Sequence, residues 1–171
     1  MIVIKLKRKL LDKMMPKEFG FVSGLFHTGV FTLQSGIDET LGKIGMSEYI
    51  FPAIKESMET TEKLGIEPVI GEDIEDFGKR FIKLLKSSLL VENASLKKKK
   101  DGSYVFSLNN CFMAKSAHTV AGTKGVCPMA MVTAAMIEKY TKKEVMVEYS
   151  SLTPNGSVTN IIADTADLTK K

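Results

Sequence analysis

The chain has 171 residues, 44% of them hydrophobic and 26% charged, with a net charge of +4. These values are ordinary for one soluble domain that buries a core without cross-links, and no apolar run reaches the ~18 residues of a membrane span. Much of the basic excess sits in Lys97-Lys98-Lys99-Lys100 beside a turn, the pattern of a solvated hairpin end that discourages edge pairing; a nucleic-acid surface needs more basic residues, interleaved with aromatics.

At the start, Ile2, Ile4 and Leu6 alternate with Val3, Lys5 and Lys7, which predicts a strand or arm within residues 1–19. Apolar residues precede basic ones there, the reverse of a secretory signal, so a cytoplasmic protein is expected. Phe26, Val30, Leu33, Ile37, Leu41 and Ile44 form the apolar stripe of a first helix, which Gly24, Gly29 and Gly36 weaken unless it packs closely on a neighbour. Ser47 is a candidate cap for a second helix carrying Tyr49, Ile50, Ile54 and Met58. The third helix is the clearest. Ile74, Phe77, Phe81, Leu84 and Leu85 share one stripe, with acidic residues at its start and Lys83 and Lys86 at its end, as the helix dipole favours.

The period then changes to two. Leu89 to Leu96 and Tyr104 to Leu108 read as strands around Asp101-Gly102, a hairpin signal. A helix carrying Met129, Val132, Met136 and Tyr140 follows, then a strand with Val145, Val147 and Tyr149, then a second hairpin at Asn155-Gly156 into Val158 to Ala163. Residues 164–171 read as a polar tail. The whole is one domain of the α+β class, N-terminal helices and two hairpins of antiparallel sheet with helices packed on it.

Between the hairpins, residues 110 to 128 hold both cysteines, Cys111 and Cys127, and one of the two histidines, His118. In a reducing compartment two cysteines read as thiols or metal ligands before a disulfide. Asn110 is a candidate N-cap for a short helix through Cys111 and His118, and Pro128 places Cys127 at the N-cap of the next helix. A helix N-terminus favours thiolate. Cys111 and His118 are seven residues apart, ~10 Å along a helix axis, too far to share a zinc unless the chain breaks; Gly122 and Gly125 permit a turn that brings Cys127 back. Met113, Met129, Met131, Met136 and Met146 surround the segment, and methionines fill cores as well as line adaptable pockets.

The sequence from Asn110-Cys111, through Gly125-Val126-Cys127-Pro128, to Val145-Met146-Val147-Glu148-Tyr149 resembles the 4-vinyl-reductase-type domain family, in particular its stand-alone archaeal, hydrocarbon-binding members. Order of elements extends the resemblance over roughly Gly20 to Ala163. It implies a fold like the small subunits of the transport-protein-particle complex, a homodimer, and a pocket for a small apolar molecule. In phenol-sensing activators with a similar domain, zinc is held by a cysteine opening the helix, a glutamate in the next strand and two later cysteines. Cys127 and Glu148 match the first two. No cysteine follows Cys127, and Ser151 and the Gly156–Val158 region stand where the others fall.

The expectation is therefore a cytoplasmic, homodimeric domain that binds a small hydrophobic molecule, without nucleic acid or membrane. Its candidate structural zinc is held by Cys111, His118, Cys127 and Glu148. The candidate ligand-facing residues are Met113, Met129, Met136, Phe26 and His27. The alternatives are an enzyme, such as a vinyl-reductase-like or cysteine-dependent protein, and a non-catalytic assembly subunit; the residues favour no catalysis.

Overall fold

The computed structural model describes residues 17–42, 45–65, 69–88, 90–114, 118 and 125–167, and the side chains within them except 17–23, 26, 46 and 164–167. Among the described residues, four α-helices and a five-stranded antiparallel sheet make an α+β architecture. The helices are α1 (Lys17–Leu41), α2 (Phe51–Lys63, entered through a π-helical turn Met46–Ile50), α3 (Ile74–Ser87) and α4 (Pro128–Thr141). The strands are β1 (Val91–Lys98), β2 (Tyr104–Cys111), β3 (Lys143–Val147), β4 (Ser151–Thr153) and β5 (Gly156–Asp167), in the order β1-β2-β5-β3 with β4 also pairing β5. No helix among the described residues is long and apolar enough to cross a membrane. The expected N-terminal strand, Ile44 and the side chain of Phe26 lie outside the described residues.

The core lies between the sheet and the helices α3 and α4. On β2 the alternation buries Tyr104, Phe106 and Leu108. Directly opposite on β5 stand Ile161, Thr159 and Ser157, all buried. The inner face of the sheet thus changes from apolar to hydroxylic along β5. Helix α3 forms as its sequence predicts: Asp73 caps it, accepting the backbone N–H groups of Glu75 and Asp76, and Phe77, Phe81 and Leu85 are buried. Leu84 of the same stripe is exposed. Helix α4 buries Ala130, Met131, Ala134, Met136 and Ile137. Its alanines let the helix lie close to its neighbours, while the larger side chains fill the remaining space.

Four local expectations are corrected. Ser47 lies inside the π-helical turn and does not cap α2. Asn110 and Cys111 end β2, because Val91 of β1 pairs with Cys111, and Asn110 takes a left-handed φ of 52° that asparagine tolerates better than most residues. The second hairpin turns at Pro154-Asn155, since Thr153 pairs with Gly156. Gly156 is required for another reason: a Cβ there would land on the carbonyl oxygen of Leu108 in β2. Finally β5 runs on to Asp167, paired with Lys143, past the point where a polar tail was expected.

Helix α1 departs most from its sequence reading. Among its described side chains the buried ones are His27, Phe31 and Gln34, at 5%, 1% and 1% exposure. They follow one another at i, i+4 and i+7, one face of a helix. Of the expected apolar stripe, Leu33 and Leu41 are exposed while Val30 and Ile37 are half-buried, Ile37 against the core; Leu25 is exposed as well.

Lys142, at the C-cap of α4, holds φ 55° in the left-handed region, which costs a residue with a Cβ about 1–2 kcal/mol. Lys142→Gly is expected to raise stability by up to about 1 kcal/mol in urea unfolding, whereas Gly156→Ala is expected to lower it by about 3 kcal/mol or to prevent pairing of β2 with β5.

Candidate functional site

The site is built around Gly125, Val126 and Cys127, the last residues before α4. Both backbone groups of Val126 and of Cys127, and the Gly125 carbonyl, have defined partners. Gly125 accepts from the Ser150 N–H at 2.9 Å. The Gln34 side chain takes both sides of Val126, its Nε2 donating to the carbonyl at 3.0 Å and its Oε1 accepting the N–H at 2.7 Å. The Cys127 N–H donates to Ser150 Oγ at 2.8 Å, and the Cys127 carbonyl accepts from Ala130 and Met131. Ser150 Oγ in turn shares a hydrogen bond of 2.6 Å with Thr159 Oγ1 on β5. Gly125 has φ 152°, and a Cβ on it would meet the Phe31 ring at 2.8 Å and Gln34 Oε1 at 3.0 Å. Only glycine lets the backbone lie this close to α1. Further along α1, the Tyr149 hydroxyl donates to Asp38, and burial together with that carboxylate pushes the Tyr149 pKa up to about 12.

Against this frame α1 sets an aromatic cluster. The His27 and His118 rings are 5.6 Å apart, and each meets the edge or face of Phe31, at 5.0 and 5.3 Å between centroids. His118 Nδ1 lies 2.8 Å from the carbonyl oxygen of Thr153 in β4. A carbonyl only accepts, so Nδ1 carries the proton and, in the neutral ring, Nε2 presents a lone pair. Burial, followed by the proximity of His118, lowers the His27 pKa from 6.5 to about 4, so His27 is neutral at pH 7. Both histidines are more than nine-tenths buried. Their Nε2 atoms, and the Ser157 hydroxyl oxygen, have no hydrogen-bond partner among the described residues.

The two thiols sit on the other side of the same stretch. Cys127 is the N-cap of α4 with Pro128 at the first turn, as expected, but its side chain makes no capping bond. Burial pushes its thiol above the ordinary value despite the helix terminus. Ser157 is near enough to temper this rise, although it forms no well-shaped hydrogen bond. Cys111 is also pushed up, chiefly by burial, with the nearness of Cys127 adding to it. The expectation that helix N-termini favour thiolate is therefore corrected for both: Cys111 ends a strand, and around Cys127 desolvation outweighs the dipole.

The four expected zinc ligands are not gathered. Glu148 follows β3, is exposed, and accepts from Asn160 Nδ2 at 2.8 Å. His118 lies against α1, while Cys111 and Cys127 lie close enough to influence each other. Among the described residues no three His, Cys, Asp or Glu side chains are placed to hold one ion, so these residues do not fit a tetrahedral zinc. Of the ligand-facing candidates, Met136 is fully buried core, and Met113 and Met129 are half-buried against it. His27 is brought into the site, joined there by His118. Sequence reasoning missed Phe31, Gln34, Ser150 and Thr159. The spacing of His27, Phe31 and Gln34 was the available signal, masked by the more apolar stripe beside it.

Two surface depressions lie elsewhere on the described surface. One, of ≈ 240 Å³, lies between α3 and the β1–β2 hairpin, and none of the expected site residues line it. The other, of ≈ 590 Å³, runs along the outer face of α1 over Leu25, Gly29, Leu33, Gly36 and Ile37. Comparison of the chain with protein-family models, with curated proteins and with solved structures finds no match in any of the three.

Gln34→Leu leaves the N–H and carbonyl of Val126 unpaired in the interior, and urea unfolding is expected to show a loss of about 2–5 kcal/mol. The His27 shift sets a pH dependence. Between pH 6.5 and about 4 the unfolded chain takes up a proton that the folded His27 refuses, so stability falls as the pH drops through that window, by at most about 3 kcal/mol. Urea midpoints from pH 7.5 to 4 are expected to fall less steeply in His27→Asn than in the wild type.

Proposed function

We propose that this chain is a non-catalytic binding domain for a small, mostly apolar molecule, received at His27 and His118. One observation carries the reading: two buried imidazole Nε2 atoms without partners beside an aromatic wall. Buried polar atoms almost always have a partner, and leaving one unmet costs about 1–3 kcal/mol. A site that keeps two such rings 5.6 Å apart is one prepared for something from outside the chain. Phe31, buried and in ring contact with both histidines, supplies apolar surface for the body of that molecule.

The thiols argue against the cysteine-dependent enzyme. A nucleophilic cysteine needs a lowered pKa and access, and both thiols here are buried and shifted upward.

The same reading includes a homodimer through α1, cytoplasmic in location. The outer face of α1 is its more apolar one. The hydroxyls of Thr32 and Thr40 are bonded back to the carbonyls of Thr28 and Gly36, which leaves methyl groups outward. Gly29 and Gly36 have open space where a Cβ would stand, and Leu25 and Leu33 project beside them. Ridges next to hollows on one face are self-complementary across a two-fold axis, so the occupant is α1 of a second copy.

Native mass spectrometry on protein purified without added ligand tests both parts. A dimer carrying a small apolar molecule is expected, with the molecule lost in His118→Leu and the dimer lost in Leu33→Glu. A bare protein that takes up no alkyl or aryl compound from a test panel sinks the binding reading, and a monomer at tens of micromolar sinks the dimer. Iodoacetamide is expected to modify Cys111 and Cys127 slowly in the folded protein and rapidly in urea; rapid modification of the folded protein revives the enzyme.

A further inference from the structure

We infer that His27 and His118 hold one transition-metal ion of the zinc class between their Nε2 atoms, its remaining positions left to an exogenous ligand. The inference rests on the same buried pair as the binding reading and names what joins the pair to its ligand. The donor pair differs from the expected zinc set: it drops Cys111, Cys127 and Glu148, and it adds a histidine from α1.

The geometry points to an ion in three ways. The rings stand 5.6 Å apart, and two imidazoles on one ion with Zn–N bonds of about 2.0–2.1 Å have centroids about 5–6 Å apart. The Nδ1–H of His118 is fixed on the Thr153 carbonyl, the outer hydrogen bond that orients metal-bound histidines and raises their basicity. Both free nitrogens are unpartnered and more than nine-tenths buried.

Imidazole binds a metal as a neutral donor, and among the described residues no acidic group or thiol joins the pair in a group of three. A bound divalent ion therefore keeps its charge and about two open positions. This fixes the class of molecule received: an apolar body bearing one carboxylate or thiolate, whose lone pairs and charge the ion needs.

The test starts from wild-type protein dialysed against chelator and titrated with Co²⁺. One ion per chain is expected, with visible ligand-field bands and no thiolate-to-cobalt charge transfer. His27→Ala and His118→Ala are each expected to weaken binding more than about 100-fold, beyond the loss caused by removing an outer partner. X-ray absorption on the zinc-loaded wild type is expected to show two imidazoles and no sulfur, and it decides the matter if circular dichroism shows either variant misfolded. Sulfur scattering, an unchanged cobalt affinity in folded variants, or no bound ion overturns the inference. Apolar compounds offered to the metal-free protein separate the two proposals: if they bind there, lose affinity in His118→Leu, and no ion ever binds, the binding reading stands and the metal falls. If the ion binds at the histidines and no apolar molecule binds with or without it, the binding reading falls and the metal stands.

Discussion

The two hydrogen bonds between Gln34 and Val126 are the constraint on which the rest of the site depends. A side-chain amide has the same donor and acceptor as a peptide group, so Gln34 serves Val126 as a neighbouring strand would. This allows Val126, in a non-repetitive stretch of backbone, to lie buried with both of its peptide groups paired. The depth of that burial sets Gly125 against Phe31, brings Cys127 to the end of α4, and places His27 opposite His118. Ser150 and Thr159 complete the support from the sheet side. Hydroxyl and amide groups hold this frame, so its hydrogen bonds do not titrate at ordinary pH.

Burial gives the two halves of the site different chemistry. On one side it raises both thiols and keeps them protonated, small and inert. On the other it lowers His27 and keeps it neutral, with a lone pair available. A desolvated imidazole is a good ligand and hydrogen-bond partner, whereas a desolvated thiol is a poor nucleophile. The difference between a binding module and a cysteine enzyme here comes from which form of each group the interior tolerates.

The parts of the fold visible in the sequence are those decided by near neighbours. Asp73 and the Phe77–Phe81–Leu85 stripe specify α3 within fifteen residues; Asp101-Gly102 turns β1 into β2; Pro128 fixes Cys127 as a cap. The parts not visible are decided at long range. Asn110-Cys111 has the local look of a helix start and becomes a strand end because β1 is there to pair with it. Gly156 looks like a turn residue and is needed because Leu108 lies across from it. On α1 two stripes interleave, and hydrophobicity picks the wrong one: His27, Phe31 and Gln34 are turned inward by Gly125, Val126 and His118, about ninety residues away. Cys127, His118 and His27 were each recognised as candidates, but not that the two histidines would meet and the cysteines stand apart.

The 92-residue separation of Gln34 from Val126 also governs the order in which the molecule assembles. Contacts between distant parts of a chain form late, because the loop between them must first close. Helix α3 and the β1–β2 hairpin have their partners close by and need not wait. Helix α1 is made before the backbone that receives it, about ninety residues later, and so docks late. Through that interval its leucine-lined stripe is exposed beside an undocked polar one, and two nascent chains close together can meet through it before either has closed its own site.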